Sequence, residues 1–295
     1  QMCIRDSPIM AGSSSWRSVK AMTSWRFAAP AHRLVHPVPA FSDNYLWLIQ
    51  APDSRRAAVV DPGDAAPILQ ALEARGLELV TILLTHHHAD HAGGVAELTA
   101  RTGARVIGPR DERIAGVTEL VSDGDSVDPG LGGARARVIA VPGHTLSHIC
   151  YLFESLGSDN RPLLFCGDTL FAGGCGRVFE GTPDQMLASL DSLAALTGPT
   201  MVYCAHEYTL SNLKFAAAAE PGSAEVAARL AEASAMREVG LATVPSTIAI
   251  ERATNPFLRV DLPQIAQQAA TLSGRAPASR VETFAAIRQW KNDFR

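Results

Sequence analysis

The sequence predicts an α/β domain followed by a small, all-helical domain. Two observations predict this order: short β-rich runs alternate with helical patterns between residues 34 and 206, and strand patterns are almost absent after residue 206. Strands interleaved with helices of about 10 to 14 residues are typical of a layered α/β domain. We therefore expect an N-terminal extension at residues 1–33, an α/β domain at 34–206 and a helical domain at 207–295.

Turn and cap signals define the expected elements of the first domain. Residues 46–50 and 57–60 are expected to form a hairpin that ends in the turn Asp61-Pro62-Gly63. Asp64 is the expected N-cap of a helix over residues 67–75, which Gly76 ends. A buried strand at 80–84, a helix at 94–101, strands at 105–107, 136–141, 149–153, 163–166 and 201–205, and a helix at 183–196 complete the prediction.

The part of the chain after residue 206 has a different composition and pattern. Its Ala-rich segments carry helical spacing with Gly and Pro between them. Helices are expected at residues 210–219, 223–239, 262–272 and 280–290. This shift in composition is the basis for predicting a separate helical domain.

Composition excludes several classes of protein. The 295 residues include 26 Lys+Arg and 30 Asp+Glu, a formal charge of −4, and this balance gives no broad basic face for nucleic acid. No window approaches the roughly 18 apolar residues that a membrane-spanning helix needs. Five scattered cysteines suit a reducing compartment better than a disulfide framework. We expect a cytoplasmic monomer with no nucleic-acid or membrane partner.

Residues 1–33 are rich in Arg and Ser and poor in acidic residues. They lack the continuous apolar run and small-residue cleavage site of a secretory signal. An organellar transit peptide fits this composition, and so does spurious upstream translation, because the chain begins at Gln1 and candidate starts follow at Met10 and Met22. On either interpretation we expect the segment to lie outside the fold.

Metal-binding side chains are concentrated directly after the strand predicted at 80–84. Five such groups occupy six positions there: His86, His87, His88, Asp90 and His91. An isolated core histidine is more often satisfied by a hydrogen bond, but packing does not explain this density of the ligands that zinc prefers. Residues two apart in an extended segment face the same way, so His86 and His88 can hold one ion, and Asp90 and His91 a second.

Three later predicted strands also end in a sharp turn and a possible ligand. These ligands are His144 after 136–141, Asp168 after 163–166 and His206 after 201–205. Because active sites of α/β sheets gather at the carboxyl ends of strands, the separated residues can converge. Two ions need about seven ligands, and a carboxylate is the natural bridge between them. The seven candidates are His86, His88, Asp90, His91, His144, Asp168 and His206.

The motif His86-x-His88-x-Asp90-His91, followed by the three later ligands, resembles the signature of the metallo-β-lactamase superfamily. From about residue 34 to the C-terminus the chain is similar to one member family, glyoxalase II (hydroxyacylglutathione hydrolase). That closer resemblance depends on later segments: Ser42-Asp43-Asn44-Tyr45, Gly174-Cys175-Gly176-Arg177, His206-Glu207-Tyr208-Thr209, Asn255-Pro256-Phe257 and Arg288-x-x-Lys291.

The resemblance implies an αβ/βα sandwich followed by the small all-α domain. It implies that His86, His88 and His144 bind one divalent ion, that Asp90, His91 and His206 bind the other, and that Asp168 bridges them. Zinc is the expected metal, with iron and manganese as alternatives. The implied glutathione-binding residues are Arg177, Tyr208, Arg288 and Lys291. Without the resemblance, Arg288 and Lys291 would be interpreted as the solvated basic end of a helix.

The implied reaction is hydrolysis of S-2-hydroxyacyl glutathione thioesters, typically S-D-lactoylglutathione to D-lactate and glutathione, the second step of methylglyoxal detoxification. Two cations lower the pKa of a shared water from about 15.7 towards about 7, giving a metal-bound hydroxide as nucleophile. Asp90 and Asp168 are the catalytic carboxylates because they hold those cations. No protein nucleophile is needed, so Cys166 and Cys175 are expected to be small buried or turn residues.

Other enzymes of the superfamily remain alternatives, namely lactonases, β-lactamases, RNA-processing phosphodiesterases and persulfide dioxygenases. The net charge of −4 argues against an RNA substrate. A mononuclear iron dioxygenase would need only His86, His144 and Asp168. The additional presence of His91 and His206 favours two metals.

Overall fold

The computed structural model describes residue 27 and residues 31–294. The strands are β1 (Val35–Ala40), β2 (Asn44–Gln50), β3 (Arg56–Val60), β4 (Glu78–Leu83), β5 (Arg105–Pro109), β6 (Glu119–Val121), β7 (Ser126–Val127), β8 (Ala136–Ala140), β9 (Ile149–Phe153), β10 (Leu163–Gly167), β11 (Leu170–Phe171), β12 (Gly174–Cys175), β13 (Met201–Cys204) and β14 (Ser246–Thr247). The helices are α1 (Ala65–Arg75), α2 (Ala89–Ala92), α3 (Val95–Thr102), α4 (Pro183–Ala194), α5 (Thr209–Ala219), α6 (Ala224–Glu238), α7 (Ile248–Thr254), α8 (Pro263–Ser273) and α9 (Arg280–Asp293), with a 3₁₀ turn at Pro256–Leu258.

Two mixed sheets form the centre of the molecule. The first has the strand order β1-β2-β3-β4-β5-β6, and the second has the order β14-β13-β10-β9-β8-β7. The parallel pairs are β3 with β4, β4 with β5, β5 with β6, and β10 with β13. The short β11–β12 hairpin stands apart from both sheets.

Side-chain alternation on β2 shows how the layers pack. Trp47 and Ile49 point into the apolar core that the two sheets share, whereas Leu46 and Leu48 point into a second core beneath α1 and α3. The Trp47 indole donates to the carbonyl of Cys204 at 2.9 Å, which joins one sheet to the other. Both faces of the sheet are therefore covered, giving the predicted αβ/βα sandwich.

Every strand and helix predicted from the sequence is present, with ends shifted by at most three residues. Asp64 caps α1 and Gly76 ends it in the left-handed region, as its turn signal indicated. The sequence did not predict β1, because it contains Pro37 and Pro39; as an edge strand it can lack those two N–H donors. The strands β6, β7, β11, β12 and β14, and the helices α2 and α7, were also missed, and most of them are only two to four residues long.

The C-terminal helices carry a buried aromatic cluster formed by Phe215, Phe257 and Phe284. This cluster belongs to the same apolar core that lies between the sheets. Arg280 of α9 also pairs with Asp191 of α4 at 2.7 Å. The helical segment thus packs on the sandwich without a separate core, and a domain boundary at residue 206 stays a prediction.

Two residues of the predicted N-terminal extension pack into the fold, which corrects the expectation for them. Phe27 is buried, and its backbone N–H donates to Glu232 Oε1 at 2.8 Å. His32 is also buried; its backbone N–H donates to the Tyr203 hydroxyl, and its ring nitrogen Nε2 lies 3.1 Å from the Leu156 carbonyl. The expectations for residues 1–26 and 28–30 lie outside the described residues. Among the helices that are described, none combines the length and apolar character needed to cross a membrane.

Candidate metal centre

The candidate ligands meet where five strands end. Asp61 follows β3, the segment 85–91 follows β4, and Asp168 and His206 follow the parallel strands β10 and β13. His144 lies in the turn after β8. Because the carboxyl ends of the parallel strands lie at one edge of each sheet, residues more than a hundred positions apart in the sequence come together.

The first group of ligand atoms consists of three imidazole nitrogens, from His86, His88 and His144. His88 Nδ1 lies 3.0 Å from both His86 Nε2 and His144 Nε2. Tetrahedral Zn²⁺ with Zn–N bonds of about 2.0–2.1 Å separates its ligand nitrogens by about 3.3 Å, which is close to this spacing. Burial lowers the pKa of all three imidazoles, which favours the neutral form that binds metals.

The second group consists of Asp90, His91 and His206. Asp90 Oδ2 lies 3.4 Å from His91 Nε2 and 3.5 Å from His206 Nε2. Burial opposes the charge of Asp90, but the neighbouring His91 ring and the hydrogen bond from the Asn44 amide together outweigh it and lower the pKa of that carboxyl below its ordinary value. Asp90 is therefore an anionic oxygen donor at neutral pH.

Asp168 lies between the two groups. Its Oδ1 is 3.4 Å from His91 Nε2 and 3.3 Å from His206 Nε2, whereas its Oδ2 is 3.4 Å from His144 Nε2. Burial opposes its charge, but His91 and His206 outweigh it and hold the pKa of Asp168 well below the ordinary value. Each oxygen of the carboxylate thus faces a different group.

Two of these buried atoms, His91 Nε2 and Asp168 Oδ1, have no hydrogen-bond partner among the described residues. Unpartnered buried polar atoms are rare and require an explanation such as an ion. The donor set contains only imidazole and carboxylate, the ligands of zinc and similar divalent cations. The residues therefore fit a pair of divalent ions.

Asp61, His86 and His91 also bring three possible ligand atoms together. The Asp61 carboxylate is already engaged, because Oδ1 accepts the Thr85 N–H at 2.8 Å and Oδ2 accepts the Thr85 hydroxyl at 2.7 Å. Asp61 Oδ2 also lies 3.0 Å from His91 Nδ1. These contacts assign Asp61 to orienting His91 and leave His91 Nε2 directed at the site.

Similar contacts orient the other rings. Asp43 Oδ1 lies 2.7 Å from His206 Nδ1, and the Arg177 carbonyl lies 2.8 Å from His144 Nδ1. Sequence patterns assigned no role to Asp61 or Asp43, although Asp43 lies in the segment Ser42-Asp43-Asn44-Tyr45 on which the family resemblance depends. Asp61 was interpreted as a turn residue, and the positive φ of 52° that Asp61 adopts is the only local sign that the turn is unusual.

Two further histidines near the centre make other contacts. His148 stacks on His86 with ring centroids 4.7 Å apart and accepts the Asp168 N–H at Nε2. His87 faces the carboxylates of Asp111 and Glu180. Neither belongs to the two groups of ligand atoms.

Two glycines allow the loops to approach each other. A Cβ on Gly63 would lie 1.9 Å from the Asp90 carbonyl oxygen, and a Cβ on Gly167 would lie 2.4 Å from Thr85 Oγ1. Gly167 also has a φ of +47°. A side chain at either position would push a ligand-bearing loop away from the centre.

A cavity of about 450 Å³ opens from His144 and Asp168. All four predicted glutathione-binding residues line it: Arg177, Tyr208, Arg288 and Lys291. Phe171 and Phe179 line it too. Tyr208 stacks face to face on His206 at 4.7 Å, and burial raises the pKa of its phenol to about 12, so the hydroxyl stays protonated.

The basic pair on α9 is not a solvated helix end. Arg288 is 7% exposed and donates from Nη1 to the Cys175 carbonyl at 2.9 Å, and its Nε has no partner within the described chain. Lys291 donates to the Ser211 hydroxyl at 2.9 Å. Burial, together with the charges of Arg288 and Arg177, lowers the pKa of Lys291 to about 8. Three cations at one wall make this cavity suited to an anionic ligand.

Comparison with known proteins follows the same division of the chain. Residues 41–206 match the model of the metallo-beta-lactamase superfamily, and residues 207–294 match that of the hydroxyacylglutathione hydrolase C-terminus. Hydroxyacylglutathione hydrolase of Ectopseudomonas mendocina (strain ymp) is 53% identical over 261 residues, covering 88% of this chain and 99% of that protein. The chain belongs to the hydroxyacylglutathione hydrolase family.

Other members of this family are comparably similar. Hydroxyacylglutathione hydrolase of Cupriavidus metallidurans is 52% identical over 268 residues, covering 88% of this chain and 99% of that protein. Among solved structures, ETHE1 from Myxococcus xanthus superposes with a TM-score of 0.58 at 26% identity, covering 84% of this chain and 87% of that one. The BLEG-1 B3 metallo-beta-lactamase, at a TM-score of 0.55 and 22% identity, covers 76% and 98% and shares the fold.

The geometry predicts two equivalents of divalent metal per chain. We expect His91→Ala to lower this content towards one equivalent, because it removes a donor from one group and leaves the three imidazoles of the other. Elemental analysis of protein purified without added metal measures the content. His87→Ala is the matched control, since His87 lies in the same loop but faces Asp111 and Glu180. Equal metal loss in both variants would contradict the assignment.

Proposed function

We propose that this chain hydrolyses S-2-hydroxyacyl glutathione thioesters, with S-D-lactoylglutathione as the representative substrate and D-lactate and glutathione as products. The observation that carries the proposal is that one cavity joins Asp168 and His144 to the cations of Arg177, Arg288 and Lys291. A bound substrate can therefore place its thioester carbonyl at the candidate metal centre while its glutathione carboxylates contact the basic wall formed by Arg177, Arg288 and Lys291. The relatives named hydroxyacylglutathione hydrolase support the same reaction.

We propose that His86, His88 and His144 hold one divalent ion, that Asp90, His91 and His206 hold a second, and that Asp168 bridges them. Zinc is the proposed metal, and iron or manganese could use the same donors. When bound, such a pair of cations supplies a hydroxide at neutral pH and polarises a carbonyl oxygen.

The chain's own groups prepare this chemistry. Asp43 and Asp61 hold the rings of His206 and His91 so that Nε2 of each faces the centre. The Asn44 amide donates to Asp90 Oδ2 at 3.1 Å, which fixes the orientation of the Asp90 carboxylate. Groups whose orientation is set before the reaction need little reorganisation in the transition state.

The cysteine thiols are poorly suited to act as nucleophiles. Cys166 is fully buried, and burial raises the pKa of its thiol well above the ordinary value. Cys175 lines the cavity, but burial raises the pKa of this thiol as well. Both therefore stay protonated at neutral pH, which favours hydrolysis by water over a covalent intermediate.

We further propose that residues 34–206 act as the catalytic part and residues 207–295 supply most glutathione contacts. Tyr208, Arg288 and Lys291 come from the second segment and Arg177 from the first. The monomeric state and the cytoplasmic location stay predictions from the sequence.

Purified, metal-loaded protein is expected to hydrolyse S-D-lactoylglutathione, because the candidate ligands and the basic wall are both in place. Loss of thioester absorbance over time measures the reaction. A lactone, a β-lactam and glutathione persulfide, the last with oxygen uptake, are assayed beside it. Turnover of any of these without turnover of the thioester would replace the proposal with the corresponding alternative.

Arg288→Ala is expected to raise KM for the thioester about tenfold or more, since a buried cation lost from an anion site is worth about 1.5–3 kcal/mol. Metal content should not change. Steady-state kinetics and elemental analysis test both points. Arg280→Ala on the same helix is the control, because Arg280 pairs with Asp191 and Asp261 at the surface. An unaltered KM in Arg288→Ala would mean that Arg288 only holds the Cys175 carbonyl.

Binding of the substrate is expected to weaken as pH rises through about 8, because Lys291 loses its charge there. Between pH 7 and 9 the protonated fraction of such a group falls about tenfold, so we expect KM to rise about fivefold. Initial rates corrected for uncatalysed thioester hydrolysis measure this profile. Lys291→Arg keeps the charge and should flatten it. A profile unchanged by Lys291→Arg would assign the titration to another group.

A further inference from the structure

A buried ion pair in the helical segment lies next to the β11–β12 hairpin. Arg229 of α6 donates from Nη2 to Glu251 Oε1 of α7 at 2.6 Å. The two side chains are 3% and 0% exposed. Breaking such a pair by removing one partner is strongly destabilising, but replacing both with apolar residues is often neutral. Stability alone therefore does not explain the pair. The contacts of the second carboxylate oxygen of Glu251, Oε2, indicate an additional role.

Glu251 Oε2 connects the ion pair to the hairpin. It accepts the backbone N–H of Gly173 at 2.8 Å and the side-chain amide of Asn255 at 3.1 Å. Gly173 forms the turn of the hairpin with a φ of +68°. Arg229 thus holds the Glu251 carboxylate by Oε1, while Oε2 accepts the hydrogen bond from the turn.

Three carbonyls of the hairpin accept hydrogen bonds from other side chains of the helical segment. The Asn255 amide donates to the Phe171 and Gly174 carbonyls at 3.2 and 2.8 Å. The Asn212 amide donates to the Ala172 carbonyl at 3.1 Å. A Cβ on Gly174 would lie 2.5 Å from this Asn212 amide, so α5 packs directly against the turn.

The hairpin contacts both the candidate metal centre and the proposed glutathione-binding residues. It follows Asp168 directly and leads to Arg177, whose carbonyl orients His144. The Phe171 ring packs edge-on against His206 with centroids 5.8 Å apart. On its other side, the Cys175 carbonyl accepts the hydrogen bond from Arg288. Movement of the hairpin would therefore displace both the metal side and the glutathione side.

We propose that Glu251 and Asn255 are positioning residues for the reaction. Held by Arg229, they fix the hairpin and, through it, the alignment of Asp168 and His144 with Arg288. Neither residue lines the cavity, so they act through the hairpin backbone. The kinetic part of this inference rests on the proposed function, whereas hydrogen exchange at the hairpin tests it without any substrate or metal.

Two double variants separate the acceptor at Gly173 from the ion pair. Arg229→Met/Glu251→Gln removes the charges but keeps a side-chain oxygen for the Gly173 N–H. Arg229→Met/Glu251→Leu removes the charges and the acceptor, which leaves the buried Gly173 N–H without this partner. We expect amide exchange of residues 170–176 to be about tenfold faster in the leucine variant than in the glutamine variant.

The kinetic expectation for the same variants is a lower kcat together with a higher KM in the leucine variant, about tenfold in kcat/KM. The glutamine variant should stay within about threefold of the parent chain. A purely structural role would leave kcat and KM per folded molecule equal in both variants. Equal exchange and equal kinetics would overturn the proposal. If the parent chain does not hydrolyse the thioester, the proposed function fails and the exchange result still decides this inference.

Single substitutions provide a second test should the double variants not fold. Asn255→Ser keeps an oxygen that can cap the 3₁₀ turn at the Phe257 N–H, but it is too short to reach the Phe171 and Gly174 carbonyls. We expect the same faster exchange at residues 170–176. Glu220→Gln is the control, because it weakens the Glu220–Arg259 ion pair of the helical segment away from the hairpin. Unchanged hairpin exchange in Asn255→Ser, or an equal change in Glu220→Gln, would overturn the proposal.

Discussion

The buried carboxylate of Asp168 is the group on which the arrangement of the site depends. A charge in this position is stable only where opposite charge surrounds it, and His91, His144 and His206 all approach it within 3.4 Å. Burial disfavours the charged forms of His91 and His206, but Asp168, together with Asp61 at His91 and Asp43 at His206, outweighs this effect and raises the pKa of both. Metal ions must displace those protons to reach Nε2, so metal binding and protonation compete for the same electrostatic role. The turns at the strand ends hold the ring nitrogens of these histidines at fixed distances from the Asp168 carboxylate.

Local sequence spacing was sufficient to find the candidate ligands, but not the groups that orient them. The histidine-rich loop after β4 has a density that packing does not explain, and each later ligand follows a recognisable strand and turn. Asp43 and Asp61 have no comparable signal, because an aspartate in a turn is ordinarily explained by its own backbone. Asp43 lies 163 positions from His206 in the sequence, and the antiparallel β-bridge between Asn44 and His206 brings the two together. Long-range pairing of this kind cannot be predicted from periodicity.

The same distinction applies to the fold. Elements with a clear apolar period were predicted with nearly correct ends, whereas the hairpin β11–β12 has two residues per strand and offers no period to detect. The spacing of Arg288 and Lys291 placed them on one helix face, but their burial depends on α5 and on the Cys175 carbonyl. Composition also set Phe27 and His32 outside the fold, although contacts with residues 124 to 205 positions away bury them.

The hairpin connects the proposed glutathione contacts of the helical segment to the chemistry at the candidate metal centre. Glutathione carboxylates at Arg288 and Lys291 would be held by the helical segment, while the thioester carbonyl must reach Asp168. Binding energy from a remote part of a substrate accelerates a reaction only if it fixes the reacting atoms relative to the catalytic groups. That requires a rigid connection between the two walls of the cavity. The continuous apolar core and the hydrogen bonds from Glu251 and Asn255 to the hairpin supply such a connection, so the helical segment contributes to rate as well as affinity.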